Sequence, residues 1–215
     1  MTHTLHRRGT VKSLQNDYIW QVYPSKGVND DHVPEKLNAI INIVDAIGSP
    51  NWGDVYTGCT LFHSIAQIRQ NLKQGSKLRG VFTDKQQLTQ FLKNVKEADI
   101  GLSVVISGLF NEVFQACENL GLQPHSVNLS LGIWGNKQLL PQEKILEITT
   151  MCGHSLISPQ LVQPFFEEAE QGTKTPAELG VLLAKQCPCG VFNHIRAGEI
   201  IREHANSINN KEAAN

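Results

Sequence analysis

The chain has 215 residues, 40% of them hydrophobic and 18% charged, with a formal net charge of -1 at pH 7. That balance suits a globular protein with a real core and lacks the basic footprint of a nucleic-acid binder. No apolar run approaches the roughly 18 residues needed to span a bilayer, and residues 1–10 lack the apolar stretch of a secretory signal, so the expected compartment is the cytoplasm.

The elements follow in chain order. Residues 17–23, aromatic and β-branched, stop at Pro24 and read as a strand. Pro34 opens a helix carrying Leu37, Ile40, Ile41, Val44 and Ile47, and Gly48 ends it. A short strand at 54–56 leads through Thr57 and Gly58 to Cys59, and a helix is expected from the cap Thr60, with Leu61, Ile65, Ile68 and Leu72 on one face. Residues 78–82 form the next strand, and Thr83 with Gln86 makes a capping-box pattern before Leu88, Phe91, Leu92 and Val95. The nearly continuous apolar run 102–106 reads as a strand covered on both faces. A helix with Phe110, Val113, Phe114 and Cys117 inside then ends at Gly121, and Val127, Leu129, Leu131 and Ile133 alternate as in a further strand.

This alternation of strand and helix predicts an α/β fold, a mostly parallel sheet with flanking helices. Ile40, Leu92 and Phe114 are expected in its core. From Pro141 the pattern turns helical, with starts at Ser158-Pro159 and Thr175-Pro176-Ala177-Glu178, a kink at Pro164 and a last helix capped by Asn193. The expected organisation is a core domain over 1–140, a helical metal-binding subdomain over 141–206 and a polar tail over 207–215.

Five cysteines in a chain of this size are not a disulfide framework, since the number is odd and the protein is not small. Cys152-Gly153-His154 and Cys187-Pro188-Cys189 lie at breaks on either side of two predicted helices, and a helical hairpin returns the chain close to where it began. Cys152, His154, Cys187 and Cys189 together make a soft, four-coordinate set that suits Zn²⁺ in a structural role. An iron–sulfur cluster is the alternative, since histidine can replace one thiolate there. Single-residue spacing is tighter than the usual zinc pattern, and buried cysteines also pack as small hydrophobes.

Cys59 defines a second centre. At a helix start its thiol would be activated, and His63 lies one turn on as a candidate base, so the pair is the candidate catalytic site. In a parallel sheet this turn would share the carboxyl edge with Ser107-Gly108 and with residues 132–135. Arg7 and Arg8 are candidate binders of a small anionic molecule. His3 and His6, three residues apart, and His194, at the start of the last helix, are further metal or acid–base candidates. Two function classes follow: a zinc protein that could act as an enzyme on a small anionic substrate with the metal mainly structural, and an iron–sulfur redox or binding module. The sequence does not specify an oligomeric state.

Overall fold

The computed structural model describes residues 6–212, with side chains to residue 208. His3 and the end of the tail fall outside the described residues. A single turn, α1 (Val11–Leu14), capped by Thr10, precedes β1 (Tyr18–Tyr23). Then come α2 (Val33–Ile47), β2 (Asn51–Asp54), the two-residue β3 (Gly58–Cys59), α3 (Ile65–Gln70), β4 (Leu78–Phe82), α4 (Lys85–Ala98), β5 (Ser103–Ser107) and α5 (Phe110–Asn119). The C-terminal part is helical: α6 (Glu143–Thr149), α7 (Pro159–Glu170), α8 (Pro176–Ala184) and α9 (His194–Glu212).

The five strands form one sheet in the order β3-β2-β4-β1-β5. Every pairing in it is antiparallel, which overturns the mostly parallel sheet expected from the sequence. The crossovers themselves are present. β1 and β2 both run antiparallel to β4, so they are parallel to each other with β4 lying between them. β4 and β5 likewise flank β1. The fold is thus two interleaved split β-α-β units, the strand order of ferredoxin-like sheets. Local periodicity reveals a strand–helix–strand crossover, but a strand inserted from elsewhere in the chain leaves no mark on it.

Strand alternation sends Tyr18, Trp20 and Val22 to one face and Ile19 and Gln21 to the other. On the first face Trp20, Trp52, Leu78 and Phe82 pack beneath α2 and α4. Trp20, Phe82 and Phe91 form a three-ring cluster with centroids 5.3–5.9 Å apart, in the range favoured by offset aromatic pairs. Ile40 and Leu92 are buried here as expected, whereas Phe114 is 40% exposed and stacks on Phe110 at 5.4 Å. On the second face Ile19 joins a separate apolar cluster built from α6 to α9.

Three local expectations change. α3 begins four residues later than expected, at Ile65 with Ser64 as its cap, where Ser64 and Gln67 form the capping box. Asp84, not Thr83, caps α4 by accepting from the Gln87 amide. The alternating 127–133 segment is not a strand: Leu131 is 87% exposed and Trp134 83%, in the irregular connection between α5 and α6. Alternation alone does not make a strand where no pairing partner is in register.

An ionic network joins the N-terminus to both halves. Asp17, buried just before β1, accepts two bonds from Arg7 Nη1, at 2.9 and 2.7 Å, and one from Arg196 Nη1 at 2.8 Å. Arg196 also donates to Ser13 Oγ at 2.9 Å and lies 3.7 Å from the buried Glu147. Asn193 donates to the Asn16 carbonyl and to Asp17 while its own oxygen caps α9 through the Arg196 amide. Two cations and two anions are thus enclosed together, the condition under which buried charge is tolerable. Removing one partner is costly because the others stay buried. Asp17→Ala is expected to lower unfolding stability by about 3–5 kcal/mol in urea titration; a loss below about 1 kcal/mol would show that the arginines find water instead.

Candidate functional site

The two cysteine motifs come together. Cys152 follows α6, Cys187 and Cys189 lie in the turn between α8 and α9, and α7 and α8 form the hairpin that closes the distance. Cys187 Sγ is 3.4 Å from Cys189 Sγ, and Cys152 and Cys187 hydrogen-bond through their side chains. All three are buried, at 2%, 0% and 5% exposure, and none is in a disulfide. A thiol has one proton to donate, so Cys187 serves its neighbours one at a time. The neighbour that accepts this proton, Cys152 or Cys189, is held below the ordinary thiol range, while these bonds push Cys187 above it. The trio is a sulfur cluster biased towards negative charge.

His154, the fourth member of the set drawn from sequence, is exposed, unlike the three sulfurs. It is near enough to favour the Cys189 thiolate by its charge. Among the described residues, no group of three or more His, Cys, Asp or Glu side chains is preassembled to hold a metal ion. The sulfurs bond to one another, and a cation would have to open them. Between Cys187 and Cys189 the opening needed is small: ligands about 2.3 Å from a tetrahedral zinc sit about 3.8 Å apart, against 3.4 Å for this pair.

The second candidate centre takes a different form. Cys59 lies in β3, opposite Gly53, and not at a helix start. It is completely buried, and burial pushes its thiol up, against the amides of Leu61 and Phe62, which favour the thiolate. His63 is half-buried and lies over Gly58, 3.3 Å from where a Cβ would stand there. The antiparallel sheet also removes the common carboxyl edge. Asp54 ends β2 beside Leu78 and Ser107 ends β5 beside Ile19, so the two chain turns leave opposite ends of the sheet.

Both N-terminal arginines are engaged internally. Arg7 completes its fork on Asp17 by donating Nη2 to the carbonyls of Met151 and Val191. Those carbonyls precede Cys152 by one residue and follow Cys189 by two, so one guanidinium ties both cysteine loops together. Arg8 pairs with Glu143 on the surface. His6 Nδ1 lies 3.4 Å from Ser130 Oγ, and His194 has a buried Nδ1 without a partner, its pKa lowered by burial. The role of Arg7 was not visible in the sequence. The positions of its partners, 144 and 184 residues away, depend wholly on tertiary structure.

The Cys187–Cys189 turn is seated directly on the sheet. Gly190 has φ +83°, and a Cβ there would stand 2.5 Å from the Trp52 carbonyl carbon and 2.6 Å from the Gly53 nitrogen. No side chain fits against that backbone. Gly190→Ala is therefore expected to lower stability by at least about 2 kcal/mol, combining left-handed strain with a backbone clash. It should also speed labelling of Cys187 and Cys189 by a thiol reagent; unchanged stability and labelling would contradict this seating. In comparisons with known proteins, no family model, no curated protein and no solved structure matches the chain, so the reading of this site rests on its own chemistry.

Proposed function

We propose that this protein carries a metal–thiolate centre in which Cys152, Cys187 and Cys189 bind a soft cation, zinc in the first place. The observation that carries this reading is the meeting of three buried, reduced sulfurs from two distant loops, with Cys187 as their hub. Thiolates are strong ligands for zinc, and a divalent cation offsets the negative charge these sulfurs are biased to carry. The role is structural. The enclosed sulfurs leave a substrate no path from solvent to the metal, and the loops they join hold the helical unit against the sheet. A buried sulfur pocket also suits an iron–sulfur cluster, which is the second reading.

Metal analysis and an absorption spectrum of anaerobically purified protein test the proposal. The expected result is about one zinc per chain, a colourless solution, and a large fall in melting temperature on chelation. A brown protein with iron and sulfide in equal amounts keeps the centre and replaces zinc by a cluster. Metal-free protein that takes up neither zinc nor iron, or a Cys187–Cys189 disulfide in non-reducing mass spectrometry, would overturn the metal–thiolate reading.

A further inference from the structure

The sheet presents a fourth sulfur to the same place. Cys59 pairs with Gly53, Gly53 with Arg79, and Arg79 with Gln21, so these residues form one row across four strands. The row lies on the sheet face opposite the aromatic cluster, the face on which Ile19 meets the C-terminal helices. Two backbone approaches then bring the Cys59 hairpin to the Cys187–Cys189 turn. Gly190, after Cys189, presses on Trp52 and Gly53. Gly58, before Cys59, faces Pro188, whose carbonyl oxygen would be 3.9 Å from a Cβ at Gly58. Cys59 and Cys189 are held between these two contacts.

Burial separates the candidates for the fourth position. Cys59 is 0% exposed, in line with Cys152, Cys187 and Cys189, while His154 is exposed. The fifth cysteine, Cys117, belongs to the other apolar cluster beneath the helices of the opposite face. Arg79, in the same row as Gly53 and Cys59, brings a positive charge to this face of the sheet, and its Nε is buried without a hydrogen-bond partner. Four thiolates around a divalent cation carry a net charge of about -2, which a neighbouring guanidinium offsets.

Resting on the metal–thiolate reading, we propose that Cys59 is the fourth ligand, so that Cys59, Cys152, Cys187 and Cys189 bind one soft divalent cation. The site bolts the β2–β3 hairpin to the C-terminal helical unit. Binding converts the four thiols to thiolates, and their protons pass to solvent. No electron is transferred.

The test uses the full chain, stripped of metal under reducing conditions and reloaded with Co²⁺ or Zn²⁺. The thiolate-to-cobalt charge-transfer band grows with each sulfur ligand. Cys59→Ser is expected to cut that band by about a quarter and weaken Zn²⁺ binding about 100-fold or more, while His154→Ala and Cys117→Ser leave both unchanged. X-ray absorption on the unaltered zinc-loaded protein gives an independent count that does not depend on a variant folding: four sulfurs at about 2.3 Å are expected. Three sulfurs and one nitrogen, or a full-strength band in Cys59→Ser with loss in His154→Ala, would overturn the proposal and leave the three-cysteine centre standing. Failure of the unaltered chain to take up either metal would overturn the centre itself.

Discussion

Asp17 sits where the N-terminal segment, the sheet and α9 meet. It stands one residue before β1, a strand that pairs on both sides in the sheet, and its carboxylate is shared by Arg7 from the N-terminal segment and Arg196 from α9. Two positive charges and one negative charge would not be stable together out of water, and Glu147 from α6 supplies the second anion. The network therefore forms only when the N-terminal segment, the sheet, α6 and α9 are all in place. Its members are cooperative for the same reason: each is buried by the others, and none has water as a substitute.

The sulfur cluster depends on this arrangement through Arg7. One side of its guanidinium is taken by Asp17, and the other reaches the carbonyls of Met151 and Val191, which border the two cysteine loops. The loops are thus positioned from the ionic side by hydrogen bonds and from the sheet side by Gly190 against β2. Asn51 adds a buried bond to the Phe192 carbonyl, again between sheet and turn. Polar and steric contacts of this kind give a short, otherwise flexible turn a fixed direction, which close approach of sulfurs requires.

The second face of the sheet explains why the helical unit is not an independent appendage. Ile19 of β1 packs into the cluster built from α6 to α9, and the row containing Arg79 and Gly53 faces the cysteine turn. One sheet serves two cores, aromatic and aliphatic under α2 and α4 and sulfur-containing under the C-terminal helices. Among the described residues no helix is long and apolar enough to cross a membrane. Several of the exposed apolar side chains, Leu129, Leu131 and Trp134 among them, lie in the irregular connection between α5 and α6.

Sequence by itself determined the elements whose cause is local. Tyr18–Tyr23, the helix ended by Gly48, the capping box of Thr175 and Glu178, and the Asn193 cap were legible because propensity, period and capping act within a few residues. The convergence of Cys152 with Cys187 and Cys189 was also legible, since a helical hairpin brings its ends together whatever surrounds it. Tertiary structure alone decided the antiparallel sheet, because the strand that fills each split crossover comes from a distant part of the chain. It likewise decided that the alternating 127–133 segment stays unpaired, that Arg7 serves Asp17 and two cysteine loops, and that the Cys59 hairpin lies against the Cys187–Cys189 turn. The physical reason is common to all four: pairing, burial and charge compensation depend on partners that sequence spacing does not specify.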